Sequence, residues 1–444
     1  MTETQHTPTE LERLGEEPLP SADELAGRFP LTQNPNPTPQ ADYEKAMEEL
    51  NFGTVFTDHM AHMRWTPETG WGQREVIPFG PLDLSPAAAV LHYGQSAFEG
   101  IKAYRHSDGS IWTFRPGFNA ARMNHSNWRL AMPQLDREDF VGALVNYVRA
   151  DEKWVPGAEG SSLYLRPFTF ASEPFLGVRS AHQVDFYVIG SPVGPYFKSG
   201  TQTGVSIWVE KHYHRAGPGG TGSAKAGGNY AASLLPQNLA AERGFKQVCY
   251  LDTYEHKYLE ELGGMNMFVV MADGSVRTPK LTGVILEGGT RSAICRLLRS
   301  RGVLVTEESI ALADLVEGIK NGSVAEIFAC GTAAVVTPIA RLASDDFDVE
   351  LPAGDGEREP LIGLLDPGDV EPVSPPHGLV RESLQVGPNP GQRIVEDPEP
   401  GELRMSGVTD GLPREDLLRQ QRLPPAGHQS LPVEVFRMQR PDSH

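Results

Sequence analysis

The sequence predicts a mixed α/β and α+β fold that is divided into two domains. From about residue 86 to 345, apolar runs rich in β-branched and aromatic residues alternate with runs of helical character. The segment PVGPYFKSG (192–200) has two prolines and two glycines, and it separates two well-patterned halves. The 444 residues are enough for two or three domains with sizeable cores.

The first 45 residues are expected to form an acidic, proline-containing arm. Residues 1–50 carry eleven acidic and three basic side chains, and they include the run TQNPNPTPQ (32–40). Such a composition predicts a solvated arm with little core of its own. The whole chain has a net charge of -19, which argues against nucleic-acid binding because a basic face would be needed.

Residues 46–193 are expected to form a smaller N-terminal α/β domain. SIWTFRP (110–116), SLYLRPFTFA (162–171) and QVDFYVIGSPV (183–193) are predicted strands. The run between the first two, GFNAARMNHSNWRLAM (117–132), predicts a helix with an apolar face and an arginine-bearing face. The interdomain linker is assigned to 194–203.

Residues 204–345 are expected to form a larger C-terminal domain that binds a cofactor. Its predicted strands are VSIWVE (205–210), QVCYLD (247–252) and one that begins at 265, and NYAASLLPQNLAAERG (229–244) is a predicted helix. GGTRSAICRLLRSRG (288–302) predicts a loop that runs into a helix. The tail, 346–444, is rich in proline, keeps no regular period and is expected to be poorly ordered.

Cysteine and histidine spacing gives no sign of a metal site. Cys249, Cys295 and Cys330 stand 46 and 35 residues apart, which favours buried reduced thiols over a disulfide framework. Four histidines without a completing acidic or cysteine ligand are interpreted as solvated or packing residues: His59, His62, His212 and His214. No apolar run has the length of a membrane span, so a cytoplasmic protein is expected.

A glycine-rich stretch, GGTGSAKAGGNYAAS (219–233), surrounds Lys225 with small residues. One interpretation is a surface loop with an incidental lysine. A phosphate-binding loop is the second, but Lys225 follows alanine rather than glycine, and Ala226 stands where a Mg²⁺-binding hydroxyl is required. The third is a Schiff-base lysine, whose neighbours must leave room for a flat cofactor ring. This third interpretation predicts a carboxylate and an anion site elsewhere.

Eight segments in register resemble the branched-chain aminotransferases, which are fold-type IV pyridoxal-phosphate enzymes. They are FGTVFTDHM (52–60), LHYGQSAFEGIKAY (91–104), FRP and NAARM (114–123), YLRPF (164–168), KAGGNYAASLL (225–235), LEELGGMNMF (259–268), EGGTR (287–291) and FACGTAAVVTP (328–338). The resemblance covers residues 45–345 and implies the two-domain fold-type IV architecture with pyridoxal 5'-phosphate as cofactor.

The resemblance implies a role for each cofactor-binding residue. Lys225 is implied as the Schiff-base lysine, which also moves the proton at the substrate Cα, and Glu261 as the partner of the pyridine nitrogen. Tyr230 is implied to bond the ring hydroxyl, and Arg122 to clamp the phosphate. Thr290, at the start of a helix, and Thr332 are implied to add hydroxyl donors to the anion site.

The resemblance also implies a pocket for leucine, isoleucine or valine side chains that must admit glutamate as well. Its implied lining residues are Phe52, Tyr93, Tyr164, Arg166, Tyr196 and Ala333, with Arg166 near the carboxylate-binding side. The implied reaction moves the amino group of a branched-chain L-amino acid to 2-oxoglutarate. Homodimers, in which one subunit completes the other's pocket, are typical of the resembling enzymes.

Two departures from the family pattern leave alternatives open. Gly289 replaces the branched apolar residue that usually precedes the threonine of EGxTR, which is expected to loosen the loop. After residue 356 the resemblance ends, so a catalytically impaired homologue is one alternative. A D-amino-acid aminotransferase or an aminodeoxychorismate lyase is another, although FGTVFTDHM and CGTAA are branched-chain-type features. CGTAAVVT has Thr337 at the second position of the CxxC pattern found in some relatives, so no thiol switch is expected.

Overall fold

The computed structural model describes residues 8–194, 204–333 and 335–351, together with the backbone of 383–385. Most of the expected linker and nearly all of the expected tail therefore lie outside the described residues. The described residues all belong to one compact unit. Within it, an antiparallel sheet and a mixed sheet carry separate hydrophobic cores.

The N-terminal arm packs against the body of the molecule. It forms α1 (Glu10–Gly15), α2 (Ala22–Ala26) and α3 (Gln40–Glu49). Both α1 and α2 begin with a capping box, in which Thr9 and Ser21 each exchange hydrogen bonds with a glutamate three residues later. Leu25 and Phe29 are fully buried in the first core. The solvated arm that the composition suggested is therefore not what the structure shows, because a few apolar residues among the acids suffice to anchor it.

The first sheet occupies the N-terminal half of the chain. Its strands are β1 (His59–Thr66), β2 (Gly70–Pro78), β3 (Ser96–Phe98), β4 (Ile101–Arg105), β5 (Ile111–Phe114), β6 (Ser162–Ala171) and β7 (Val184–Val193). Their spatial order is β5-β4-β6-β7-β1-β2, and β3 pairs with β6. β6 and β7 form a long antiparallel pair in which Ser162 lies opposite Val193.

Three helices accompany the first sheet: α4 (Ala89–Tyr93), α5 (Pro116–Arg129) and α6 (Arg137–Ala150). Pro116 opens α5 at the position where a missing N–H costs nothing. Ten of the fourteen residues of α5 are buried, so this helix lies inside the molecule rather than on its surface. The first core includes Phe140, Leu144 and Val148 of α6.

The second sheet is built from the C-terminal half. Its strands are β8 (Val205–Glu210), β9 (Gln247–Leu251), β10 (Leu259–Leu262), β11 (Asn266–Met271), β12 (Val276–Pro279), β13 (Val305–Glu308), β14 (Val324–Gly331), β15 (Val335–Ser344) and β16 (Phe347–Glu350). The order is β10-β9-β8-β15-β14-β11-β12-β13, with β16 beside β15. A further short strand, β17 (Ser383–Gln385), pairs with β5 of the first sheet.

The helices of this half are α7 (Gly227–Glu242), α8 (Gly289–Ser300) and α9 (Leu312–Asn321). α9 ends at Gly322, which adopts a φ of 77° that favours glycine. α9 contributes to the second core, and α8 contributes to a third. Within the described residues, no helix combines the length and apolar character that crossing a membrane requires.

The predicted elements correspond closely to those observed. The predicted strand 162–171 is β6, the predicted helix 229–244 overlaps α7, and the predicted loop-into-helix at 288–302 is α8. Other elements had no predicted counterpart, among them β1, β2, α6 and α9. β16 lies just beyond the expected domain boundary at residue 345.

Candidate active site

A cavity of about 500 Å³ is lined by residues from both halves of the chain. This volume is within the range of about 300–1,000 Å³ typical of small-molecule sites. Its charged lining residues are Arg122, Arg166, Lys225 and Glu261, so basic groups outnumber acidic ones by three to one. The cavity therefore suits a ligand with several negative charges.

Lys225 reaches this cavity from the loop before α7. Its ammonium nitrogen Nζ donates a hydrogen bond of 2.7 Å to the hydroxyl of Tyr230 in the first turn and a half of α7. The rings of Phe98 and Tyr230 meet edge to face at 4.7 Å, and Nζ lies 4.8 Å from the centre of the Phe98 ring. Aromatic rings thus flank the amine on two sides.

The backbone of the Lys225 loop is held by α5. The Lys225 N–H donates to the buried Ser126 hydroxyl at 2.8 Å, and its carbonyl accepts from the Phe98 N–H at 3.1 Å. Arg129 donates from Nη2 and Nε to the carbonyls of Gly219 and Gly220, at 2.8 and 3.1 Å. The glycine-rich stretch is therefore fixed by the small domain, and a freely solvated surface loop does not describe it.

Glu261 lies on β10 and is 2% exposed. Its oxygen Oε1 accepts from the Leu286 N–H at 2.6 Å and forms a 2.8 Å ion pair with the buried Arg215. Oε2 has no hydrogen-bond partner among the described residues. Glu261 is one of the residues that line the cavity. Burial raises the pKa of this carboxyl, while the Arg215 charge opposes the rise.

Arg215 supports more than the Glu261 carboxylate. Its Nη1 also donates to the carbonyls of Gly222, at 3.2 Å, and Val284, at 3.0 Å. These carbonyls belong to the segments that lead to Lys225 and to Leu286. One guanidinium therefore holds both segments around the carboxylate.

The N-terminus of α8 forms another wall of the cavity. Gly288, Gly289 and Thr290 all line it, and Gly288 is the N-cap of α8. The first backbone N–H groups of a helix have no intrahelical acceptor, and the helix dipole favours a negative charge beside them. This wall is therefore a physical match for a phosphate group.

Arg122 lies beside this wall with 4% exposure. Its Nε and Nη2 donate to the two carboxylate oxygens of buried Glu99, each at 2.7 Å, and Nη1 donates to the Glu287 carbonyl at 2.9 Å. These bonds use one N–H on Nη1 and one on Nη2, so each of the two nitrogens keeps one for a ligand. The bidentate pair with Glu99 fixes the guanidinium plane.

The space beside Gly289 is occupied by a phenylalanine ring. A Cβ at position 289 would approach the ring of Phe118, on α5, to 3.2 Å. Arg115, which adopts a φ of 49° before α5, donates from Nη1 to the Gly289 carbonyl and to the Ser292 hydroxyl, both at 3.0 Å. The loop expected to be loosened by Gly289 is thus filled and bonded from the α5 side.

The turn between β14 and β15 forms one side of the cavity, and its residues Thr332 and Ala333 line it. The ammonium of Lys102 on β4 donates to the Ala333 carbonyl at 3.2 Å. Lys102 is 8% exposed, and burial lowers its pKa to about 8. A buried positive charge therefore stands behind this turn.

The remaining wall of the cavity consists of aromatic side chains and the guanidinium group of Arg166. The rings of Phe52 and Tyr164 lie 5.0 Å apart, and Arg166 donates to the Tyr164 hydroxyl at 3.0 Å. The Arg166 guanidinium stacks 4.6 Å from the centre of the Phe98 ring, and its buried Nε has no hydrogen-bond partner among the described residues. Apolar surface and an available cation are thus combined in one place.

Ten of the twelve residues predicted for the site line this cavity. They are Phe52, Arg122, Tyr164, Arg166, Lys225, Tyr230, Glu261, Thr290, Thr332 and Ala333. Tyr93 does not: it ends α4, is 45% exposed, and donates its hydroxyl proton to the Leu176 carbonyl. Tyr196 lies outside the described residues.

Sequence reasoning missed Glu99, Lys102 and Arg215. Glu99 and Lys102 stand within the quoted LHYGQSAFEGIKAY motif, so the motif itself was the available signal. Arg215 follows HYH in a stretch without any distinguishing period. Its role depends on contacts with residues 222, 261 and 284, which only the folded chain brings together.

A family model and similar proteins of known name indicate the same family for this chain. Residues 96–342 match the amino-transferase class IV family. A branched-chain-amino-acid aminotransferase of Mycolicibacterium smegmatis is 48% identical over 346 residues, which are 76% of this chain and 94% of that protein. One of Mycobacterium tuberculosis is 49% identical over 71% of this chain and 86% of that protein. The chain belongs to the branched-chain aminotransferases.

Solved structures agree with this membership. The branched-chain amino acid aminotransferase of Escherichia coli matches with a TM-score of 0.56 and 25% identity, over 73% of this chain and 99% of that one. The branched-chain aminotransferase of Thermoproteus uzoniensis, solved with norvaline, matches with a TM-score of 0.53 and 26% identity, over 66% of this chain and 90% of that one. The mixed two-sheet architecture is therefore the fold-type IV architecture that the sequence predicted.

Branched-chain aminotransferases use pyridoxal 5'-phosphate, and the chemistry of this cavity fits that cofactor. A phosphate fits the start of α8 and the remaining N–H groups of Arg122. The Glu261 carboxylate, which lines the cavity, offers an acceptor for a protonated ring nitrogen, and Lys225 offers a primary amine. The residues present therefore supply a donor or acceptor for each polar part of the cofactor.

Proposed function

We propose that this branched-chain aminotransferase transfers the amino group of leucine, isoleucine or valine to 2-oxoglutarate, with the residues named above in specific roles. The observation that carries the proposal is the meeting of Lys225, Tyr230 and Glu261 in one cavity with the start of α8. Its named relatives act as branched-chain aminotransferases. Bound pyridoxal phosphate supplies an aldehyde that accepts the amino group and an electron-poor ring that stabilises negative charge at the substrate Cα.

Lys225 is the covalent anchor and the proton carrier in this proposal. Its amine would hold the cofactor covalently, and as a free amine it would take up the proton of the substrate Cα and later give that proton back. The 2.7 Å bond from Nζ to the Tyr230 hydroxyl keeps the amine oriented, and the same hydroxyl is available to the cofactor's ring oxygen. A positioned base within hydrogen-bond reach is what proton transfer requires.

Glu261 holds a proton on the ring nitrogen. Arg215 and the Leu286 N–H bind Oε1, and Glu261 lines the cavity, which leaves Oε2 as the acceptor proposed for the ligand. The Arg215 charge favours the carboxylate form against the effect of burial on the pKa. An ionised partner keeps the ring electron-poor, which is the property the reaction needs.

The phosphate is assigned to the wall made by α8 and Arg122. The free N–H groups of the first α8 turn, the Thr290 and Thr332 hydroxyls and the two remaining Arg122 N–H groups form this proposed anion site. Because Arg122 and Glu99 form a bidentate pair, the guanidinium is held in place before the ligand arrives.

The substrate is assigned to the opposite, aromatic wall. Phe52 and Tyr164 offer apolar surface for a branched side chain, while Arg166 offers donors to the second carboxylate of glutamate or 2-oxoglutarate. Ala333 lines the turn that faces the substrate carboxylate. Tyr196 remains a predicted lining residue.

We also propose a homodimer that works in the cytoplasm. An exposed apolar patch, made of Leu91, Tyr93, Leu176 and Val178, supports the dimer. In a dimer, Tyr93 can complete the cavity of the second subunit. Cys249, Cys295 and Cys330 are buried free thiols, as expected from their spacing, and free thiols are typical of a reducing compartment.

The test is an assay of leucine with 2-oxoglutarate, combined with absorbance of the protein after addition of pyridoxal phosphate. We expect a yellow, borohydride-reducible chromophore and glutamate formation in the wild type. Lys225→Ala loses the chromophore and at least about a thousandfold of kcat, because the covalent anchor and the base are the same group. The exposed Lys320→Ala is the matched control and retains both. Absence of the chromophore in the wild type contradicts the proposal, and turnover of D-alanine but not leucine assigns a different substrate.

A further inference from the structure

We propose that the N-terminal helix α1 positions the loop that opens α8, and that it thereby sets how tightly the protein holds the phosphate end of its cofactor. The proposal rests on the proposed function for the assignment of the phosphate to α8. α1 itself lies outside the cavity, so its residues are positioning residues rather than catalytic ones.

The apolar side of α1 is anchored on α5. Leu11 is buried in a small cluster with Phe118 and Ala121. At the other end of α1, the Gly15 backbone lies so close to Gly117 and Phe118 that a Cβ on Gly15 would come within 2.8 Å of the Phe118 Cα. α1 therefore follows α5, the helix that begins after Arg115 and carries Arg122.

The polar side of α1 reaches the loop and the first turns of α8. The Thr9 hydroxyl donates to the Glu287 carboxylate, 278 residues away, and the Ser292 hydroxyl donates to the Glu12 carboxylate. One turn further along, Glu16 forms an ion pair with Arg296 of α8. The contacts thus run along the whole of α1, from its N-cap Thr9 to its C-cap Glu16, and from Glu287 into the second turn of α8.

The same side chains that start α1 make these bonds. In the capping box, the Thr9 N–H donates to Glu12 Oε2 at 2.9 Å, and the Glu12 N–H donates to Thr9 Oγ1 at 3.2 Å. Glu12 is only 2% exposed, although a buried carboxylate is unfavourable unless it is fully bonded. Glu12 therefore serves both as the glutamate of the capping box and as the acceptor for the Ser292 hydroxyl of α8.

The loop is consequently held from two directions. From the α5 side, Arg122 binds the Glu287 carbonyl and Arg115 binds the Gly289 carbonyl. From the α1 side, Thr9 binds the Glu287 carboxylate, which opposes the rise in the Glu287 pKa that burial causes. Since Thr290 and the free N–H groups follow directly, their positions depend on this segment. A loop already in its binding shape loses less entropy on binding the phosphate.

The first test is equilibrium titration of the full-length, cofactor-free protein with pyridoxal phosphate, followed by the absorbance of the Lys225 adduct. Thr9→Val and Glu12→Ala each remove a bond to the loop or to α8. We expect each to weaken the cofactor roughly tenfold, because a bond to a buried charged group is lost. Thr9→Ser keeps both hydroxyl bonds and retains affinity. Glu10→Ala truncates an exposed acid of the same helix and is the matched control.

A second measurement separates this proposal from the proposed function. Hydrogen exchange of the cofactor-free protein is expected to quicken in residues 287–298 of Thr9→Val and Glu12→Ala and to stay unchanged in Glu10→Ala. This result needs no cofactor, so it tests the positioning role even where the wild type binds no pyridoxal phosphate. Unchanged exchange in that segment overturns the proposal. Equal cofactor affinity in all variants, with only a lower melting temperature, overturns it as well, because α1 then has a structural role alone.

Discussion

Two neighbouring carboxylates on β10 have opposite environments although the sequence presents them as a pair. Glu261 points toward the cavity and is paired with Arg215 at 2.8 Å. Glu260 is 7% exposed and has no ion pair within the described part of the chain. The register of β10 against β9 shifts between Leu259 and Leu262, so the two carboxylates lie at a β-bulge, where a strand bends and its side chains are redirected. Two adjacent glutamates that look alike in the sequence therefore have different surroundings in the folded protein.

Glu260 makes stability depend on pH. Burial, and then the charges of Asp252 and Glu261, raise its pKa to about 7, while Arg215 partly opposes the rise. An unfolded glutamate has lost its proton well below that pH, so the folded protein binds the extra proton between about pH 4.5 and 7. The contribution of Glu260 to the free energy of unfolding therefore falls as pH rises through that window. The upper limit is about 1.4 kcal/mol per pH unit, and the fall is smaller because solvent partly screens this carboxyl.

Urea unfolding at pH 5, 6, 7 and 8 measures this effect. We expect Glu260→Gln to reduce the loss of unfolding free energy between pH 5 and 7, since the amide does not titrate. Glu255→Gln, at an exposed position nearby, leaves the pH profile of the wild type unchanged. Identical profiles for Glu260→Gln and the wild type contradict the assignment.

At the scale of elements, α5 is the helix on which the site is built. Arg122 binds the Glu287 carbonyl before α8, Ser126 and Arg129 hold the Lys225 loop, and Phe118 fills the space beside Gly289. A helix with side chains bonded in several directions has little freedom to shift without disturbing the cavity. Its role as a common support could not be inferred from its amphipathic pattern alone.

The contact between Phe118 and Gly289 predicts a coupled effect on stability. Gly289→Val forces the Phe118 ring to move and is expected to lower the unfolding free energy by about 1–3 kcal/mol. In Gly289→Val/Phe118→Ala the ring is absent, so the loss is smaller than the sum of the two single losses. Chemical denaturation of the four proteins measures the coupling. Gly228→Val, in the first turn of α7, is the control, because a Cβ there meets nothing within 4 Å. Additive losses of unfolding free energy in the double variant contradict the contact between Phe118 and position 289.

Sequence reasoning was most successful where the local pattern decides the outcome. β6 and β8 coincide with their predicted ranges because alternating or continuous apolar runs are local signals. The site residues were found through motifs, and ten of them line one cavity. Arg215 and the contacts of Thr9 and Glu12 could not be found in this way, because their partners lie tens to hundreds of residues away. The buried arm was missed because its charge outweighs its few anchoring residues, Leu11, Leu25 and Phe29.

At the scale of the whole molecule, the exposed apolar patch predicts the oligomeric state. Leu91, Tyr93, Leu176 and Val178 are all at least 45% exposed, and Tyr93 bonds the Leu176 carbonyl. Exposed apolar side chains that lie together are typical of an interface. Leu91→Asp places a charge there and is expected to convert the proposed dimer largely to monomer. Sedimentation velocity measures the change. Leu304→Asp is the matched control, since Leu304 is 61% exposed against 59% for Leu91. A monomeric wild type excludes the dimer, and an unchanged Leu91→Asp dimer moves the interface elsewhere.

The place of β15 in the second sheet has a consequence for synthesis of the chain. β15 is the last long strand of the described residues, yet it lies between β8, which it pairs in parallel, and β14. A nascent chain shorter than about 335 residues leaves facing edges of both strands unpaired, and such edges are prone to aggregate. The first sheet has β1 to β7 available by residue 193. The first sheet can therefore pair most of its strands long before the second sheet can, and a chain that ends just before residue 335 leaves the facing edges of β8 and β14 unpaired.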